Sequence, residues 1–122
     1  MYASKIVAPN IREGDEKAAS LDVGKAVGFY PQDFDLKPCE VDVELSEGDL
    51  VRIGNMTMEI FETPGHCEGH LSFLLSGGER KYLFGGDMVF WGGRILLQNI
   101  HDCKINDYAE SIFKIEKKDF DD

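Results

Sequence analysis

The spacing of hydrophobic and polar positions changes period along this chain. Between Ser4 and about Gly28, scattered Ile, Val and Leu sit among Ala, Lys, Glu and Asp, a composition that suits helix. Pro9 fits a first turn, and Gly14 and Gly24 weaken the interior, so one or two short helices are expected rather than one long one. Residues 28–38 carry Phe29, Tyr30, Pro31, Phe34 and Pro38 and read as an aromatic-bearing loop. From Val41 the period becomes two. Val41, Val43 and Leu45 alternate with Asp42 and Glu44, Ser46-Glu47-Gly48-Asp49 turns the chain, and Leu50–Ile53 follows. Gly54-Asn55 turns it again before Met56, Met58 and Ile60 resume the alternation, which predicts a hairpin-linked antiparallel meander. Two further strands, 71–75 and 81–84, flank the turn Ser76-Gly77-Gly78-Glu79, and their continuous apolar character suits strands covered on both faces. Asn106 or Asp107 can cap a last helix running to Glu116, with Tyr108, Ile112 and Ile115 on one face. The expected class is α/β in a single domain. Residues 1–40 form its helical and loop part, 41–87 its strand block, and 88–122 a loop and terminal helix.

Composition narrows the classes of function. The 122 residues fit one domain, and 43% hydrophobic content excludes a wholly disordered chain. No apolar run reaches the roughly 18 residues of a membrane-spanning helix, and Met1-Tyr2-Ala3-Ser4-Lys5 lacks a signal-peptide stretch. A net charge of −10 argues against nucleic-acid partners and anionic membranes. Three widely spaced cysteines make no disulfide framework, so a reduced, cytoplasmic protein is the expectation. The acidic run Glu40, Asp42, Glu44, Glu47 and Asp49 reads as a solvated edge that discourages strand-to-strand association.

Two stretches can carry chemistry. In Thr63-Pro64-Gly65-His66-Cys67-Glu68-Gly69-His70, Pro64 and Gly65 force a turn that presents His66 at a strand end, where a rigid backbone suits a metal-binding imidazole. In Phe84-Gly85-Gly86-Asp87, a hydrophobic strand delivers a carboxylate to a sheet end, and a carboxylate can share its oxygens between two cations. Each residue also has an ordinary reading: His66 as a turn residue bonded to backbone, Asp87 as a turn former or helix cap. Gly77-Gly78 is a turn and no phosphate cradle.

Thr63-Pro64-Gly65-His66-x-x-Gly69-His70, a strand, then Leu83-Phe84-Gly85-Gly86-Asp87 resembles the central signature of metallo-β-lactamase-fold hydrolases. Trp91-Gly92-Gly93-Arg94 and Asn106-Asp107-Tyr108-Ala109-Glu110-Ser111-Ile112 resemble the glyoxalase-II-like, thioesterase and lactonase branches. The resemblance implies part of a four-layer αββα sandwich with mixed or antiparallel strands and flanking helices. It implies a binuclear centre, of zinc or else iron or manganese, with His66 as one ligand and Asp87 bridging the two metals. The family's first motif, His-x-His-x-Asp-His, has no counterpart, since His66, His70 and His101 are the only histidines. The family's last Pro-Gly-His ligand segment also has none.

The expectation is therefore a fragment of a metal-dependent hydrolase of a small ester, thioester or lactone, inactive by itself, its other ligands supplied from outside these residues. The competing expectation is a non-catalytic scaffold or interaction module. His70 is read as supporting the site without binding metal, and Cys67 as a buried inert thiol. His101-Asp102-Cys103 is read as structural or solvated; Trp91 and Arg94 are read as substrate contacts, with Trp91 equally able to plug the sheet–helix interface. The expected partners are a complementary N-terminal half or a second copy. Either would cover an apolar surface made by Leu71, Phe73, Leu75, Leu83 and Phe84.

Overall fold

The computed structural model describes residues 1–121 and divides into two compact units, Met1–Glu44 and Leu45 onward. In the first unit, strand β1 (Tyr2–Ser4) is followed by helices α1 (Ala8–Glu13) and α2 (Leu21–Ala26), with Ala8 and Leu21 as their buried residues. The loop after α2 packs on itself: the rings of Phe29, Tyr30 and Phe34 lie in a row, with centroids 5.2 and 5.4 Å apart. Glu16 ties this loop back, pairing with Lys25 at 2.8 Å and accepting the Leu36 N–H at 3.1 Å.

Two sequence expectations change here. Strand β1 has no periodicity to announce it in three residues, and β2 (Val43–Leu45) pairs with β1 rather than joining the meander. The Asp42 and Val43 amides donate to the Met1 carbonyl at 2.9 and 3.3 Å, so β2 forms a separate two-stranded sheet. The acidic run is exposed, as expected, yet its charges are not simply solvated. Glu44 pairs with Arg12 at 2.5 Å, Asp49 accepts the Ser46 N–H at 2.7 Å, and Glu47 accepts the Glu62 N–H at 2.6 Å.

The second unit holds a four-stranded antiparallel sheet in the order β3 (Leu50–Ile53), β4 (Met56–Glu62), β5 (Leu71–Ser76), β6 (Tyr82–Phe84). Its register sets Ile60 opposite Phe73 and Phe73 opposite Phe84, while Glu59 faces Leu74 and Leu74 faces Leu83. Successive side chains point to opposite faces, so every residue is thereby assigned to a side. One side carries Phe61, Leu74 and Leu83 and receives helix α3 (Ile105–Glu116); Phe61, Leu74, Met88 and Ile115 form the core there, with Leu83, Ile112 and Phe120 packed against it. Lys114 fastens the helix by donating to the Glu62 carbonyl at 2.6 Å, and the Lys118 ammonium lies 4.3 Å from the centre of the Phe61 ring.

The opposite side carries Val51, Ile53, Met56, Met58, Ile60, Leu71, Phe73, Leu75, Tyr82 and Phe84. Ile60 is buried, but Ile53, Tyr82 and Phe84 are exposed and the others half-buried. The expectation of cover on both faces therefore fails for β5 and β6. Leu83 leaves the apolar surface assigned to it, because the pleat turns it into the α3 core. The helix-cap expectation fails too: α3 starts two residues before Asp107, Lys104 occupies the N-cap, and no side chain caps it. Among the described residues no helix is long and apolar enough to cross a membrane.

The core makes a direct prediction. Ile115→Ala should cost about 2–5 kcal/mol, as for other buried large-to-small changes, whereas Phe113→Ala on the exposed side of α3 should stay within about 0.5 kcal/mol. Urea unfolding of the two variants measures the difference. Equal losses would contradict the placement of the helix.

Candidate metal centre

The turn after β4 is shaped by what it must fit. Thr63 is buried and bonded on both sides, its hydroxyl 2.8 Å from Ser72 Oγ and 2.8 Å from His70 Nδ1. Gly65 follows at φ +141°, and a Cβ there would lie 2.7 Å from the Tyr108 backbone, so only glycine lets the turn meet α3 this closely. Helix α3 holds the turn at two further points: Ser111 Oγ donates to the Pro64 carbonyl at 2.6 Å, and the Lys104 N–H donates to the Gly65 carbonyl at 2.9 Å.

His66 emerges from this clamp mostly buried, with 13% of its side chain exposed. Its Nδ1 is 3.2 Å from the Tyr108 hydroxyl, and its Nε2 is 3.1 Å from the Gln98 side-chain nitrogen. Asp87 arrives from the other direction, where β6 runs into Gly85-Gly86. Gly86 has φ +55°, and a Cβ on it would stand 2.6 Å from His70 Nε2. Met88, the residue after Asp87, is buried in the α3 core and so anchors the turn that carries Asp87. The Asp87 N–H donates to His70 Nε2 at 3.0 Å, and its carbonyl is 3.3 Å from the Tyr108 hydroxyl.

The two residues singled out from the sequence thus meet, His66 Nε2 standing 3.8 Å from Asp87 Oδ2. That gap is no wider than two metal–ligand bonds of about 2.0–2.2 Å laid end to end. Both atoms are good donors for a borderline-soft divalent cation. No third His, Cys, Asp or Glu joins them among the described residues.

The remaining candidates separate clearly. His70 binds its neighbours through both ring nitrogens: Nε2 accepts from Asp87, so Nδ1 carries the proton and donates to Thr63. Burial, with a smaller contribution from His66, holds its pKa below the ordinary histidine value and favours its neutral form. It therefore bridges the two turns. Cys67 is half-buried, and burial first, then the Asp102 carboxylate, pushes its thiol pKa up, which opposes a thiolate ligand. Asp102 accepts the Glu68 N–H at 3.1 Å and lies 3.9 Å from His101 Nδ1, and Cys103 Sγ accepts the Gln98 N–H at 3.2 Å, so this trio braces the loop. Trp91 is 96% exposed, which removes the reading of it as an interface plug. Arg94 closes a small turn by backbone bonds to Phe90.

The sequence pattern puts Thr63 in the turn motif and Tyr108 on a helix face without assigning either a role at the site, and it does not single out Gln98. The available signal was Tyr108 itself, a large ring on a buried helix face whose hydroxyl must find a partner.

Comparison with known proteins adds an independent line. No family model matches the chain. A hydroxyacylglutathione hydrolase from Rhodopseudomonas palustris is 42% identical over 60 residues, which are 49% of this chain and 23% of that protein. One from Chelativorans sp. is 33% identical over 75 residues, 62% of this chain and 28% of that protein. A metallo-β-lactamase of Cronobacter sakazakii superposes on 98% of this chain with TM-score 0.69 at 20% identity, and FEZ-1 metallo-β-lactamase of Legionella gormanii with TM-score 0.66 at 23%. The chain covers 43% and 45% of those two structures. It thus matches about a quarter of the length of these curated relatives and less than half of these solved structures.

The turn geometry predicts that Gly65→Ala destabilises the chain by at least about 1–3 kcal/mol, the usual cost of a strained backbone site. Gly78→Ala, whose added Cβ meets nothing closer than Met56 Sδ at 3.7 Å, should be nearly silent. Differential scanning calorimetry compares them, and a silent Gly65→Ala would contradict the close approach to Tyr108.

Proposed function

We propose, on the premise that the chain carries part of the metallo-β-lactamase fold, that it is a portion of a zinc-dependent hydrolase acting on a small ester, thioester or lactone. The observation that carries the reading is the convergence of His66 Nε2 and Asp87 Oδ2 at 3.8 Å on one sheet edge. The similarity to hydroxyacylglutathione hydrolases across part of the chain favours a thioester.

His66 and Asp87 would hold the metal, which when bound polarises a scissile carbonyl and lowers the pKa of an attacking water. The chain's own residues do the positioning. Tyr108 and Gly65 set His66 in place, His70 fixes the Asp87 backbone, and the 88–104 loop borders the same edge through Gln98. The remaining ligands come from polypeptide outside these 122 residues, so the chain alone has no turnover. Its setting is a reduced, cytoplasmic one, consistent with free Cys39, Cys67 and Cys103.

The same reading assigns the open sheet side, with Phe73, Tyr82 and Phe84, to contact with a further layer of the sandwich outside these residues. Without that layer the chain covers this side with a second copy. Burying a large apolar side chain there is worth roughly 1.5–3 kcal/mol, more than screened repulsion between surface charges opposes.

Two measurements test the proposal. Calorimetric titration of the dialysed chain with zinc should show one site that is lost in His66→Ala and in Asp87→Asn but kept in His101→Ala. Thioester turnover should not exceed that of the same zinc without protein. Zinc binding that survives both His66→Ala and Asp87→Asn would favour the non-catalytic scaffold reading. In sedimentation velocity the chain should self-associate and Phe84→Asp should reduce the association; a clean monomer would contradict the assignment of the open side.

A further inference from the structure

We infer that Tyr108 is a positioning residue: its hydroxyl fixes the His66 imidazole as the Nδ1–H tautomer and so turns the Nε2 lone pair toward the Asp87 carboxylate. The inference deepens the proposed metal site and rests on it for its purpose, but the hydrogen bonds alone determine the tautomer.

A tyrosine hydroxyl has one proton. Two carbonyl oxygens compete for it, Leu96 at 2.8 Å and Asp87 at 3.3 Å, and both can only accept. The proton is therefore committed to backbone, and the hydroxyl meets His66 Nδ1, 3.2 Å away, with a lone pair. Two lone pairs would repel at that distance, so Nδ1 must carry the hydrogen. A neutral imidazole has one N–H, which leaves Nε2 bare. That bare nitrogen faces Asp87 Oδ2 at 3.8 Å, an unfavourable pairing of two acceptors unless a cation lies between them. The Gln98 amide, 3.1 Å from Nε2, satisfies the lone pair in the meantime.

Tyr108 is built to hold this position. It is 1% exposed, its backbone abuts Gly65, and Ser111, on the same face of α3, bonds Pro64. An N–H held by a neighbouring oxygen while the other nitrogen binds is the arrangement that makes histidine an oriented metal ligand.

Nitrogen-15 long-range correlation spectra of the intact chain at pH about 8 read the tautomer without any metal. His66 should be the Nδ1–H tautomer in the natural sequence and in Gln98→Ala. Tyr108→Phe should shift it toward Nε2–H, because Nδ1 loses its acceptor and the Asp87 carboxylate becomes the better one. Ser111→Ala, which loosens the same helix contact, should leave it unchanged. An Nε2–H tautomer in the natural sequence, its appearance in Gln98→Ala, or no change in a folded Tyr108→Phe would each overturn the inference. Should Tyr108→Phe not fold, the natural sequence and Gln98→Ala still decide. A correct tautomer with no zinc uptake would instead defeat the function proposed above and leave the role of Tyr108 standing.

Discussion

The contact between Gly65 and Tyr108 is the constraint on which the candidate site depends. A turn that must leave a strand, reverse and pack on a helix within three residues needs an element that can come to van der Waals contact with backbone, and only glycine at positive φ supplies it. Once the two backbones touch, the Tyr108 hydroxyl falls among His66 Nδ1, the Leu96 carbonyl and the Asp87 carbonyl. One buried side chain thereby couples the β4 turn, the β6 turn and the loop that leads to α3. The second coupling runs through His70, whose ring spans from Thr63 to the Asp87 amide. Hydrogen bonds of this kind each contribute about 1 kcal/mol, but leaving any of these buried groups unpaired would cost more, so the network specifies geometry more than it adds stability.

The sheet explains why the site sits at an edge. Its α3 side is closed by a compact cluster around Phe61, Leu74 and Ile115, while its other side presents Phe73, Tyr82 and Phe84 with partial cover. The strand ends that carry His66 and Asp87 are thus rigidly backed from one side only. Two donor atoms held this way are oriented, but no third His, Cys, Asp or Glu joins them among the described residues of a chain that covers less than half of the solved structures it resembles.

Much of this was legible in the residues. The period-two alternation marks β3 and β4, and the apolar runs between glycine-rich turns mark β5 and β6, each within a residue or two. His66 and Asp87 were visible because Pro-Gly and Gly-Gly punctuate strand ends. The fate of β2 was not legible: three alternating residues pair with any open edge, and the partner, β1, lies some forty positions away. The side of the sheet taken by Leu83 was hidden for a related reason, because a continuous apolar run carries no alternation to assign its faces. Tyr108 and Gln98 were missed because their roles arise from distance in space to turns that lie 42 and 32 residues earlier.

Paramagnetic broadening by manganese(II) in the amide spectrum of the chain tests the central claim most directly, because it locates a bound cation without relying on activity. The account predicts that substoichiometric manganese broadens residues 65–67 and 86–88 first, with Gln98 among them. Broadening that begins instead along the acidic run Glu40, Asp42, Glu44, Glu47 and Asp49 would show a cation drawn to bulk negative charge, and would contradict a metal centre at His66 and Asp87.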